Sequence, residues 1–166
     1  MILHLSQAVA KRLKCNLSFN KDRVAQTGRE DSWSADIFRI KRGGTHALVM
    51  HDASLWPFVI DLSDCRTYET FLKALLINIE MSYALIGRDF DGANVTVIAT
   101  KRSNRSIIGS MNNAIFLLTA RIGNSLAAGG RIDWAEIQAD LSRTPFMSLD
   151  GIFPYKAWAR LAGNPL

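Results

Sequence analysis

Apolar and polar residues recur along this chain in a pattern that predicts elements in the order β-α-β-β-β-α-β-α-α-α. MILHL opens as a strand. Ser6 is placed to cap a helix over residues 7–14, with Val9 and Leu13 inward and Lys11, Arg12 and Lys14 outward. Residues 18–35 are polar around Gly28, Arg29, Glu30 and Asp31 and read as a loop. DIFRIKR (36–42) begins a run of strands. Its Ile37 and Ile40 fall out of step by one residue, which predicts a bulge or a frayed end. Gly43-Gly44 predicts a two-residue hairpin turn, because glycine takes positive φ without a steric cost. THALVMH (45–51) and LWPFVIDL (55–62) follow, with Asp52-Ala53-Ser54 turning between them. Pro57 cannot donate to a ladder, so the third strand is expected at an edge.

Residues 68–86 carry the strongest helical period. Tyr68, Phe71, Leu72, Leu75, Leu76, Ile79, Tyr83 and Ile86 recur at i, i+3, i+4 spacing, and Thr67 is a suitable N-cap. The opposite side is also apolar: Ala74, Ile77, Met81, Ala84 and Leu85. Such a helix is expected to be a central core helix buried on two sides, or else the seam of a homodimer through helix 68–86. NVTVIAT (94–100) reads as a further strand. Met111, Ala114, Ile115, Leu118 and Ile122 line one face of the next helix, which Ala127-Ala128-Gly129-Gly130 stops. Asp133 and Glu136 fit a capping box before a short amphipathic helix containing Trp134, Ile137 and Leu141. Pro154 suits the first turn of a last helix with Tyr155, Trp158 and Leu161. Strands and helices do not alternate strictly. The expected class is therefore α+β: an antiparallel β-meander plus additional strands, packed against a long central helix and C-terminal helices. No linker divides the chain, so residues 1–166 are expected to form a single globular domain, with residues 162–166 a flexible tail.

Composition changes this picture little. The chain is 48% hydrophobic and 21% charged over 166 residues, which argues for a folded core and against a disordered chain. No apolar run reaches the ~20 residues that span a bilayer, and MILHLSQAVAKRLKC lacks the order of a signal peptide. Cys15 and Cys65 match no metal spacing and are expected as buried free thiols of a cytoplasmic protein, with a single disulfide as the alternative.

Charge changes it more. The formal net charge is +5, and no acidic residue occurs between Asp91 and Asp133. That stretch holds Lys101, Arg102, Arg105, Arg121 and Arg131, as many cations as the whole net charge. A local excess of this kind favours an anionic partner. Its densest part is KRSNRSIIGSMNNA (101–114), where a strand is expected to pass through a polar loop into a helix start. Free N–H groups there carry partial positive charge, and arginine holds phosphate or carboxylate with paired hydrogen bonds. The candidate anion- or partner-binding residues are Lys101, Arg102, Asn104, Arg105, Ser106, Ser110 and Asn112, with Ser103 a further donor. The same residues also make a plain capped loop, with Asn104 or Ser106 as the N-cap. Lys11, Arg12 and Lys14, and Arg39, Lys41 and Arg42, form further basic groups. If these share a face with residues 101–105, the surface would suit nucleic acid. Trp33, Phe38 and Trp56 could then stack on bases, although most of these aromatics read first as core.

Catalytic signatures are sparse. His46 and His51 lie on opposite faces of one strand and cannot easily share a metal. His51-Asp52 is half of an acid–base pair, yet neighbours in a turn rarely aim at one point. DFDG (89–92) reads as a turn and not as a calcium loop, because the later ligands are missing. No P-loop, G-x-G-x-x-G, H-E-x-x-H or G-x-S-x-G occurs. No catalytic residue, metal or cofactor is assigned.

RSIIGSMNNAIFLL, SRTPF and MILHLSQAVAKRL together resemble a small family of bacterial and phage proteins described as a domain of unknown function. The matching residues are Asn104, Arg105, Ser106, Gly109, Ser110, Met111 and Asn112, with Arg143, Thr144 and Pro145. The resemblance implies no activity. It implies an association with mobile elements, in a role around host defence or its evasion. The expectation is thus a non-enzymatic binding protein, partnered by nucleic acid or by an acidic surface of a nucleic-acid-handling complex, with no membrane. The alternative is an enzyme acting on a phosphorylated or nucleotide substrate at the 101–112 loop.

Overall fold

The computed structural model describes residues 1–17, 32–41 and 43–163. Its elements are β1 (Ile2–Leu5), α1 (Gln7–Leu13), β2 (Ser32–Ile40), β3 (Gly44–His51), β4 (Pro57–Asp61), α2 (Tyr68–Ala84), β5 (Ile98–Lys101), α3 (Arg105–Ala127), α4 (Trp134–Ser142) and α5 (Pro154–Arg160). Their order is the one the sequence pattern predicts. Most of the expected 18–35 loop, Arg42 and the tail from residue 164 lie outside the described residues.

The five strands form one sheet in the order β4-β3-β2-β1-β5. β2, β3 and β4 make the expected antiparallel meander. The two additional strands do not continue it: β1 pairs with β2, and β5 with β1, both in parallel. Parallel neighbours need a long crossover connection. α1 lies in the connection from β1 to β2, and α2 in the chain that leads from β4 to β5. The protein is α+β with a mixed sheet, and Pro57 does lie on an edge strand.

Helices cover both faces. On one, α1, α2 and α5 pack Val9, Leu13, Phe71, Leu75, Ile79 and Trp158 against Leu3, Leu5, Trp33, Ala35 and Phe58. On the other, α3 and α4 pack Ile107, Met111, Leu118, Ile122, Ile137 and Leu141 against Phe38, Ile40, Leu48 and Met50. Each such side chain contributes roughly 1.5–3 kcal/mol when fully buried.

Several expectations change at closer range. β2 starts at Ser32, because Trp33, Ala35 and Ile37 face one layer while Ser32, Ser34 and Asp36 face the other. The offset of Ile37 and Ile40 is not a bulge: pairing with β3 is continuous from Trp33 to Ile40, and the end of the strand is covered on both faces. The hairpin loop spans residues 41–43, with Ile40 paired to Gly44. Gly44 takes φ +92°, and a Cβ on Gly43 would stand 2.7 Å from Ile40 Cγ2, so each glycine has its own cause. α2 is capped as expected, by Thr67 and Thr70 reciprocally. However, it is an outer helix, not a central one. Phe71, Leu75 and Ile79 are buried, whereas Ile77, Met81 and Leu85 are exposed. Trp33, Phe38 and Trp56 are buried core. No helix among the described residues is long and apolar enough to cross a membrane.

Candidate functional site

KRSNRSIIGSMNNA is mostly helix. Lys101 ends β5, only residues 102–104 connect, and α3 begins at Arg105. Asn104 is the N-cap: its Oδ1 accepts from the backbone N–H groups of Ser106 (3.0 Å) and Ile107 (3.4 Å). Two of the N–H groups that could face an anion are thereby occupied.

The candidate side chains part company. The backbone N–H of Arg102 donates to Leu5 O, its Nη2 donates to Asp36 Oδ2 at 2.6 Å, and its Nη1 lies 3.2 Å from Met111 Sδ. Both partners of this ion pair are largely buried, at 10% and 15% side-chain exposure. Asp36 stands on the same face of β2 as Phe38 and Ile40, where an unpaired carboxylate would be costly. Arg102 therefore serves the interior. Ser110 is buried and its Oγ meets Ser148 Oγ at 2.6 Å. Lys101, Ser103, Arg105, Ser106 and Asn112 remain exposed.

Further along the acid-free stretch, Arg121 is held by Glu136 and Asp140 of α4. The segment thus takes carboxylates from elsewhere in the chain, and its surface charge is smaller than its composition suggests.

Other cations gather nearby. β2 and β5 both lie parallel to β1, so their carboxyl ends lie at one end of the sheet. Lys101, Leu5 and Ala35 share a row, and Arg39 lies four residues beyond it, ~13 Å along the strand. Lys11, Arg12 and Ala8 of α1 and Ile37, Phe38 and Arg39 of β2 line a groove of about 680 Å³. Arg12 Nη2 donates to Leu62 O at 3.1 Å, which fixes that side chain across the sheet end. A second groove, about 670 Å³, lies on the far side of the hairpin and includes Arg39, Lys41, Thr119, Gly123 and Ile132. Among the described residues, no carboxylate lines either groove. Sequence spacing could not find these grooves, since Lys11 and Arg39 are brought together only by the β1-α1-β2 crossover.

The histidines are engaged elsewhere. His51 is buried and bonded to Ser54 Oγ at 2.9 Å, and His46 Nε2 is 2.8 Å from Gly43 O. His4 Nδ1 meets Thr100 Oγ1 at 2.9 Å, while its Nε2 lies 3.6 Å from Asp52 Oδ2. Asp52 thus faces His4. Burial pushes the His4 pKa below its ordinary value, and the Asp52 charge opposes this. The DFDG carboxylate of Asp91 caps the short turn at Gly92–Asn94. The hydrogen bond from Asn94 Nδ2 lowers its pKa. Cys15 and Cys65 are free thiols, and burial pushes both up.

These features define an α+β domain whose mixed sheet ends in a basic edge. The chain belongs to the family described as Domain of unknown function (DUF6933), whose model matches residues 2–157. That span includes both the RSIIGSMNNA and the SRTPF strings. The chain matches no curated protein and no solved structure.

Proposed function

We propose that the protein is a non-enzymatic binding protein that takes the phosphate backbone of a nucleic acid along the carboxyl edge of its parallel strands. The observation that supports this reading is the groove lined by Lys11, Arg12 and Arg39, with no carboxylate among the described residues that line it. Lys101, exposed at the end of β5, and Arg105, exposed at the start of α3, would extend the contact. Ile37, on the α1 side of the sheet, gives the groove an apolar lining, as suits the sugar side of a nucleotide chain more than a free inorganic anion. The engagement of all three histidines within the fold favours binding over acid–base chemistry. A role in defence or counter-defence follows from the resemblance alone.

Backbone binding releases counterions, so affinity must fall linearly with salt on logarithmic axes, with a slope of about −0.9 per duplex phosphate neutralised. Titration of labelled duplex and single-stranded oligonucleotides over a salt series tests this. Lys11→Glu with Arg39→Glu is expected to abolish binding, and Lys101→Glu with Arg105→Glu to weaken it and flatten the slope. Absence of binding at low salt, or binding indifferent to salt, removes the proposal.

A further inference from the structure

The strands of the sheet do not end together. β1 stops at Leu5 opposite Ala35, while β2 runs on to Ile40 beside β3. Among the described residues, the segment 37–40 therefore has a strand on one side only. Its open side can be read group by group. Leu62 N donates to Thr45 O, so Thr45 turns its backbone groups toward the β4 side. Arg39 pairs with Thr45 and must turn its own groups away from β3, because opposed residues of an antiparallel pair either bond each other or both face outward. Ile37, two residues back, turns the same way. Ile37 N is taken by Asp36 Oδ1 at 2.8 Å. Ile37 O, Arg39 N and Arg39 O are left facing the open side.

We propose that an extended acidic segment of a partner protein adds to β2 here as a further strand, bonded to Ile37 O, Arg39 N and Arg39 O. This goes beyond the nucleic-acid reading and does not rest on it. A strand edge offers acceptors as well as donors, whereas phosphate oxygens only accept, so a peptide matches groups that a phosphate chain leaves unmatched.

Two grooves fix what the segment carries, since the side chains of a strand alternate between faces. On the α1 face lies the groove of Lys11, Arg12 and Arg39. On the α3 face lies the second groove, where Ile40, Leu126 and Ile132 supply an apolar lining. Gly123 keeps that groove open, because a Cβ there would project into empty space. A segment of alternating acidic and apolar residues suits both at once, with carboxylates toward α1 and apolar side chains toward α3.

The same cations disfavour a second copy of the chain. An open strand edge invites self-pairing, but two such edges would bring the Arg39 and Lys41 charges of both copies together. Basic residues there select an acidic partner.

Titration of a labelled peptide of about eight residues, alternating glutamate and valine, into the full chain without nucleic acid tests the proposal. Saturable binding is expected. Two further peptides carry backbone N-methyl groups, one on its glutamates and one on its valines. One set of nitrogens faces β2, and its methylation is expected to lower affinity about tenfold or more, while methylation of the other set changes little. Arg39→Pro removes the outward N–H without touching the bonds to β3, and is expected to weaken binding more than Arg39→Gln, which removes only the charge. The methylated peptides keep the test open should the proline variant fail to fold. Absence of peptide binding overturns the proposal. So does equal loss from both methylated peptides, loss from neither, or equal binding of a peptide with its glutamates and valines in separate blocks. An oligonucleotide that binds where the peptide does not leaves the preceding proposal standing and removes this one.

Discussion

The two faces of the sheet are packed by different chemistry. Under α2 and α5 the core is aromatic. The Trp158 ring lies within about 6 Å of the rings of Trp33, His51, Trp56 and Tyr83. Its polar atoms are settled in place: Trp56 Nε1 donates to Ser82 Oγ at 3.0 Å, and Trp158 Nε1 to Ser82 O at 2.8 Å. Under α3 and α4 the core is mostly aliphatic, with Phe38 and Phe146 among Ile, Leu and Met side chains, and polar pairs line its margin: Arg102 with Asp36, Ser110 with Ser148, His4 with Thr100. One face uses polar atoms to tie a helix to the sheet. The other uses them to pair polar groups that the chain has placed inside, one of them the Arg102–Asp36 ion pair. This is why the basic segment 101–105 contributes less to the surface than its composition promises.

The largest test of this contrast is Trp158→Ala. It removes the ring that joins α5, α2 and the strands. A loss of about 3–5 kcal/mol is expected in urea unfolding. A loss below that of an ordinary surface substitution would show that the aromatic face is not held by this ring.

Next in size is Arg102→Ala. It leaves Asp36 buried beside Phe38 and Ile40 without its cation, and about 3 kcal/mol should be lost. Arg102→Met with Asp36→Leu is expected to recover most of it, since a packed apolar pair can replace a buried ion pair. If Arg102→Ala instead weakens oligonucleotide binding at unchanged stability, the residue belongs to the surface site after all.

The smallest effect is a pH dependence. His4 has a folded pKa lowered from 6.5, chiefly by burial. As pH falls through 6.5, the unfolded chain takes up this proton before the folded one does. The stability that neutral His4 allows is therefore whole above 6.5 and lost progressively below it. His4→Gln is expected to flatten the midpoint-against-pH curve just below 6.5, and an unchanged curve would refute the assignment.

Much of the fold was legible in the sequence. Element order, the Ser6, Thr67 and Asp133 caps, the edge position of Pro57 and the buried stripe of α3 all follow from local rules. What escaped depended on distant partners. Ser32 and Ser34 look like loop residues because nothing local shows that His4 and Thr100 continue their row. Met81 and Ile77 look like core because periodicity cannot say whether a second layer exists to cover them. The candidate site was half legible. The cap role of Asn104 was one of two local readings. The pairing of Arg102 joins residues 66 positions apart, and its only local trace is an aspartate on the apolar side of SADIFRI.

The parallel seat of β1 bears on how the chain is made. β1 needs β5 for its second edge, and the His4–Thr100 bond joins residues 96 positions apart. Loops of that length close slowly, so the meander β2-β3-β4 is expected to organise early and the β1–β5 ladder late. During synthesis, β1 waits with one row of backbone donors and acceptors unpaired until residues 98–101 have left the ribosome. A product truncated before residue 98 would keep that edge open and tend to aggregate through it.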